Sequence, residues 1–283
     1  MRDFFRRILG LSAPPQNRRV VYTCLFGYSE LLADTKYRRD GLTDFICFTD
    51  DRSLRSKTWK FVYVDIETMD PVRVAKMVKI LAHRYVGQYE TSLYLNNTAQ
   101  LVCSVSEIFA HLGNDGAPMV CFCHPERSCV YKEAELVAKE RYDDIRVIQD
   151  QMGHYRSIGH PEDAGLIFGG VLLRRHNDAR LQAVMEQWFD QVCAYSYRDQ
   201  LSFNVIARQL GFTPDYFPGH PGDGKLVLSP VVKANIRLPR GFRDDVYLEL
   251  HEDVRRSGMN AREHYLKHGM PEGRPYRHPD RPN

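Results

Sequence analysis

No stretch of this sequence approaches the roughly 20 consecutive apolar residues that a membrane-spanning helix needs. The longest candidate, GLIFGGVLL at 165–173, is itself broken by three glycines. A secretory signal is equally missing: MRDFFRRILGL interrupts its apolar residues with Arg6 and Arg7 and has no long apolar region. The expectation is a cytoplasmic protein. Cysteine is odd in number and scattered, seven in all at 24, 47, 103, 121, 123, 129 and 193, with no CxxC pair. That pattern fits reduced thiols better than a disulfide framework, and Cys121, Cys123 and Cys129, in or near an apolar, strand-like run, read as buried thiols rather than zinc ligands. An excess of charge of one sign is also lacking. Lys plus Arg number 39 against 36 Asp plus Glu, a net +3 that is too balanced for the electrostatic footprint of a nucleic-acid binder. Any basic patch must be local.

What is present is the composition of a folded α/β protein, with 43% apolar, 11% aromatic and 27% charged residues in 283. Residues 1–17 carry Phe4, Phe5, Ile8 and Leu9 at helical spacing beside Arg2, Arg6 and Arg7, before APPQN breaks the pattern. They predict a short amphipathic helix, which either lies on an anionic membrane surface, giving peripheral contact at its inner face, or packs on the domain. RRVVYTCLFG, DFICFTDD and WKFVYVD then read as strands, PVRVAKMVKILAHRYV as one helix through Val86, and TSLYL as a further strand. Downstream, LIFGGVLLRR reads as a strand and DARLQAVMEQWFDQVCAY as a helix with Leu181, Val184, Met185, Trp188 and Val192 on one face. SYRDQLSFNVIARQLG reads as a second helix that Gly211 stops, FPGHPGDGK as a loop, and LVLSPVVKANIRL as a last strand-like stretch. Near Pro239 the composition shifts to a charged helix pair from Asp244 to Arg274, which sets expected units at 1–17, 18–239 and 240–283.

Strands alternating with helices predict a mostly parallel sheet covered on both faces. Ligands bind such sheets beyond the carboxyl ends of their strands. The residues there are Phe26, Gly27, Thr49, Asp50, Asp51, Asn96, Asn97 and Thr98. Arg73, Lys76 and Lys79 precede the NNT strand end, and the last two share a helix face that either reaches a diphosphate or is solvated. His264 and His268, four apart in the tail, have metal-compatible spacing but no third ligand or HExxH order, and read as structural.

In order, VVYTCLFGY, DFICFTDD, YLNNTAQL, CHPERSCVYKEA and RDQLSFNV resemble the TOD/MUCI-type glycosyltransferase-like domain over roughly residues 18–235. That family is similar to the retaining GT-A enzymes of the family-8 glycosyltransferase type, on a Rossmann-like sheet flanked by helices. YLNNTAQL stands in the place of a YLDxD strand end, FGGVLL in that of an FNxGV strand, and DQLSFN has the DQxxxN spacing. The tail resembles a small helical module appended to bacterial polysaccharide glycosyltransferases. The resemblance implies transfer of a sugar from a nucleoside diphosphate sugar to a carbohydrate or glycoconjugate acceptor in bacterial surface polysaccharide assembly. The alternatives are a non-catalytic nucleotide-sugar or carbohydrate binding protein and a scaffold in such a complex.

The same resemblance implies roles for single residues. Asp199 would read donor-sugar hydroxyls and Gln200 would lie near the anomeric carbon; the other reading is a carboxylate and amide capping a helix's first turn. On that first-turn reading, Asp199→Asn is expected to cost turnover far more than stability. Gly169 and Gly170 let a sugar approach the backbone or simply admit a neighbouring side chain. Arg127, in a pattern shared with His124 and Glu133, is a phosphate or substrate ligand or a salt-bridge partner of Glu133. The resembled enzymes hold a divalent cation, Mn2+ or Mg2+, on two aspartates; the matching positions are Asn96 and Thr98, which bring no negative charge. Either a weakly held cation is helped by His220, or Lys and Arg side chains take over the phosphate charge. HPGDGK, with His220 and Lys225, is similar to an HxxGxxK metal-and-phosphate loop one residue longer; the other reading is a surface turn.

Overall fold

The computed structural model describes residues 19–27, 32–34, 40–66, 69–229, 238–239, 241–270 and 272–278; the expected N-terminal helix lies outside them. The alternation in RVVYTCL makes β1 (Arg19–Leu25) a strand buried on both faces. Its Val20, Tyr22 and Cys24 enter one apolar core and Val21 the other. β2 (Thr43–Thr49) and β3 (Lys60–Tyr63) follow in parallel. α1 (Pro71–Ile80) starts with the Asp70 carboxylate accepting from the Val72 N–H and with proline in its first turn, where no amide hydrogen is missed. β4 (Thr91–Leu95) then docks on the far side of β1.

β5 (Gln100–Leu101), α2 (Ala82–Tyr85) and α3 (Val105–Ala110) are short. β6 (Met119–Cys123), α4 (Val130–Lys139), α5 (Ile145–Ser157), β7 (Ile167–Arg174), α6 (Ala179–Ala194), α7 (Phe203–Gln209), β8 (Asp215–Tyr216) and β9 (Val227–Leu228) complete the α/β unit. The seven-stranded sheet runs β3-β2-β1-β4-β7-β6-β8, and β5 pairs with β9 apart from it.

The sheet is mixed: β7 runs against both β4 and β6, while the other four pairings are parallel. Apolar runs record burial, not direction. Here α4 and α5 leave and return at the same end of β6: the His124 N–H donates to the Leu166 carbonyl at 2.8 Å, so the chain can only turn back down. Between Cys121 and Phe122 the register slips, opposing Leu172 and then Phe168, which leaves Gly169–Val171 as a bulge beside the end of β4. Bulges of this kind re-aim backbone next to binding sites.

Two expected helices are broken, both by side chains that take backbone carbonyls. α1 stops before Leu81 (ψ 50°) because buried Arg174 donates to the Lys79 and Ile80 carbonyls, at 2.8 and 3.0 Å, and the Tyr22 hydroxyl also donates to Lys79. A guanidinium at a helix's carbonyl end complements its dipole. The DQLSFN segment is a 3-10 turn, Asp199–Leu201, followed by α7. The Trp188 indole N–H donates to the Asp199 carbonyl at 2.8 Å, and Ser202 leaves helical geometry between the two. Of the last expected strand only Val227–Leu228 is seen, and 230–237 lie outside the described residues.

The tail is not a helix pair. It forms α8 (Asp244–Leu250), α9 (Glu252–Ser257), α10 (Ala261–His264) and a π turn, Tyr265–Gly269, around a core of Tyr247, Val254, Ala261 and Tyr265. His264 accepts or donates to the Tyr247 hydroxyl at 3.0 Å within it. All seven cysteines are free thiols, five of them buried; Cys123, expected to be buried, is exposed because it is the last residue of β6. No helix among the described residues is long and apolar enough to cross a membrane.

Candidate functional site

Strand order reverses between β1 and β4, and the carboxyl ends of the neighbouring strands bound a cavity of roughly 490 Å³. Its walls are Gly27 after β1, Asp50 after β2, Tyr63 to Ile66 at the end of β3, and Pro71 at the start of α1. Gly27 is required here: its φ is +71°, and a Cβ would lie 2.4 Å from Pro71 Cβ. Its N–H donates to the Asp50 carboxylate at 3.1 Å, which fixes that side chain at the cavity wall. Phe26 is buried, and Thr49 uses its hydroxyl to accept from the Asp51 N–H at 3.0 Å. Asp51 in turn caps Ser53 through the serine N–H and hydroxyl.

A second cluster lies where the β7 bulge meets the Asp199 turn. Asp199 is 4% exposed, and its two oxygens accept from Lys76, at 2.9 Å, and from Lys79. Two ammonium groups against one carboxylate leave one surplus positive charge. Burial tends to raise Asp199, but the two lysines together outweigh it and hold the carboxyl well below the usual range. Burial lowers Lys79 to about 8, against the opposing pull of Asp199 and with the help of Lys76. The Lys79 ammonium also stands 5.4 Å over the Tyr94 ring.

The bare face of Gly169 sits against this cluster. A Cβ there would be 3.0 Å from Lys79 Nζ, 3.5 Å from Asp199 Oδ2 and 3.8 Å from Gln200 Cγ. Gly170 meets Asn96 in the same way: a Cβ would lie 2.7 Å from Asn96 Nδ2, and the Asn96 N–H donates to the Gly170 carbonyl at 2.9 Å. The structure thus brings Lys76, Asn96, Gly169, Gly170, Asp199 and Gln200 together. The Asn97 carbonyl accepts from Ala33 at 2.7 Å, next to Thr98.

Other residues singled out in the sequence are engaged elsewhere. Arg127 pairs with Glu133 and Glu126, and its N–H donates to His124 Nδ1 at 3.1 Å. Arg73 pairs with Asp70 at 2.9 Å and donates to the Tyr195 carbonyl. In the DQxxxN segment two carboxamides grip the backbone of one residue: Asn204 accepts from the Ile167 N–H at 3.1 Å and Gln200 donates to the Ile167 carbonyl at 3.3 Å. His220 and Lys225 lie on an exposed turn closed by Asp223, which accepts from the Lys225 N–H at 3.0 Å. The Ser229 N–H donates to the Pro221 carbonyl at 2.8 Å, which folds that turn back along β9, the partner of β5.

Among the described residues no three His, Cys, Asp or Glu side chains converge as a metal site. Asn96, Thr98 and His220 offer only neutral donors, so a hard divalent cation there would depend on charge brought by a ligand.

Sequence reasoning missed Tyr63 and Asp65, although the strand-end rule applied to WKFVYVD would have found them. It also missed Tyr276 and Arg277, which reach the cavity from the tail and carry no local signal. Comparison with curated proteins gives no sequence match. Residues 20–217, which include the carboxyl ends of β1 to β8 and the Lys76–Lys79–Asp199 cluster, match the family described as TOD1/MUCI70, glycosyltransferase-like domain. The chain belongs to that family.

Proposed function

We propose that this protein transfers a glycosyl group from a nucleoside diphosphate sugar to an acceptor hydroxyl, with retention at the anomeric carbon. One observation carries the reading. In a chain of a glycosyltransferase-like family, a cavity with carboxylates at its rim opens at the strand ends of a sheet beside which α1 and the Asp199 turn hold a buried cluster with surplus positive charge. The bond from the anomeric carbon to the diphosphate oxygen breaks, the bond to the acceptor oxygen forms, and the acceptor proton leaves with the released nucleoside diphosphate or solvent.

Asp50 and Asp65 accept hydrogen bonds from the ribose hydroxyls and base. Lys76 and Lys79 offset the charge that grows on the departing diphosphate, an effect that a preorganised and partly dry site makes large. Asp199 holds both ammonium groups in place, Gly169 admits them by lacking a side chain, and Gln200 beside them lies near the anomeric carbon. The resemblance of the tail to modules on bacterial polysaccharide glycosyltransferases supports an acceptor in surface polysaccharide or glycoconjugate assembly.

Incubating the chain with a panel of nucleoside diphosphate sugars, with and without Mn2+, and following nucleoside diphosphate release tests this. Turnover of one donor, sharply reduced in Gln200→Ala, is the expected result. A second reading, binding without transfer, is favoured by the neutral residues at Asn96 and Thr98; saturable donor binding with no release in any condition would select it.

A further inference from the structure

The cavity at the strand ends is not closed by the α/β unit alone. Two of its lining residues, Tyr276 and Arg277, come from a strap after the tail's last turn. The tail holds this strap at several points. Arg274 pairs with Asp253 and with Glu272, each at 2.6 Å, and its N–H donates to the Gly269 carbonyl at 2.8 Å. The Pro275 carbonyl is 2.8 Å from His251 Nε2, and His278 Nε2 lies 3.5 Å from a Glu249 oxygen. Tyr276 packs edge-on to Tyr265, a member of the tail's core, at 5.9 Å. A second cavity of roughly 490 Å³ lies between the strap and the start of α1, and shares Pro71, Tyr276 and Arg277 with the first. The strap is therefore positioned by the tail and delivered to the cavity wall.

The chemistry it adds is specific. Without it the wall offers Asp50, Asp65 and the Tyr63 ring, with the Arg52 guanidinium 4.9 Å over that ring. With it the wall gains a second phenol ring and a second guanidinium. Two aromatic faces, two carboxylates and two guanidinium groups around a volume within the usual range for small-molecule sites suit a planar heterocycle bearing a diol and an anionic tail.

We propose that the C-terminal strap is part of the donor site: Tyr276 packs on the nucleoside base, Arg277 meets the ribose or diphosphate, and the tail sets which nucleotide is accepted. This rests on the reading of the cavity as a nucleoside diphosphate site. It gives the tail a direct place in donor selection, so nucleotide binding and ordering of the tail favour each other by the same factor.

The test is calorimetric titration of the full chain with UDP, GDP, ADP and CDP. Tyr276→Ala and Arg277→Ala are expected to weaken the preferred nucleotide about tenfold or more, by loss of stacking and of an ionic contact. Tyr276→Ala should also flatten the ranking of the four bases, whereas Tyr276→Phe, which keeps the ring, should retain it. Arg277 lies outside the tail's apolar core, so Arg277→Ala reads the contact even if Tyr276→Ala loosens the tail. Saturating nucleotide should slow amide hydrogen exchange at 274–278. If the wild-type chain binds a nucleotide and both alanine variants keep its affinity and ranking, this inference falls while the donor reading stands. If the wild-type chain binds none of the four, both fall.

Discussion

Replacing Asp199 with Asn leaves the shape of the side chain and removes its charge, at a position that is 4% exposed and bonded to two ammonium groups. The first-turn reading of the sequence assigns such a carboxylate about 0.3–1 kcal/mol, the size of a helix-dipole contact. The structure demands more. Removing one partner of a buried ion pair costs about 3–5 kcal/mol, because the other charge stays buried and uncompensated. Asp199→Asn is therefore expected to lose about that much stability in urea unfolding at pH 7.

The pH profile separates this cause from a general packing defect. Lys79, lowered from 10.5 to about 8 mainly by burial, binds fewer protons folded than unfolded between those values, so its contribution to stability rises with pH across that window. In Asp199→Asn the ammonium has lost its anion, its value falls further, and the rise begins at lower pH. Asp199 itself, held well below the usual carboxyl range, contributes stability that is present above the ordinary carboxyl value and lost as pH falls through its folded value; the variant lacks that acid limb. Adding Lys79→Met to Asp199→Asn removes the stranded charge and should recover most of the loss. A loss under about 1 kcal/mol in the single variant, or no recovery in the double, would refute the buried triad as the cause.

Gly27→Ala forces a side chain into left-handed backbone and onto Pro71 at 2.4 Å; it should cost at least about 2 kcal/mol of stability and weaken nucleotide titration, and an unchanged melting temperature would count against the geometry of the cavity mouth. Asn96→Asp gives the β4 strand end a negative ligand, so Mn2+ should bind more tightly in the presence of a nucleoside diphosphate; calorimetry showing unaltered Mn2+ affinity would mean that Asn96 does not face the ligand.

Much of the sheet was legible because burial leaves a period. β1, β2 and β4 alternate or run apolar to a polar end, and the ends of β1 and β2 supply Gly27 and Asp50 to the cavity. Direction was not legible in β7, since IFGGVLLR reads the same whichever way its neighbour runs. The helix breaks at Leu81 and Ser202 were hidden for a related reason. They come from Arg174, far along the chain, and Trp188, on the preceding helix, taking carbonyls that a local pattern awards to the helix.

The site was obscured by a residue that defeats hydrophobic patterning outright. Lys79 lies between Val78 and Ile80, all three buried, yet any hydropathy reading sends a lysine to the solvent face. Its burial follows from Asp199, which lies 120 residues along the chain, and Asp199 in turn looks like an ordinary helix-start carboxylate until Lys76 and Lys79 are set against it. Two charges that each read as surface residues become buried only as a cluster. The DQxxxN spacing mixes two demands in the same way: Asn204 is spent on the Ile167 amide, so the spacing records how the turn is fastened to β7 as well as what it presents. Spacing of this kind cannot separate a residue that fastens the turn from one that faces outward, whereas the structure shows Lys79, Asp199 and Gln200 packed into the space that a side chain on Gly169 would take.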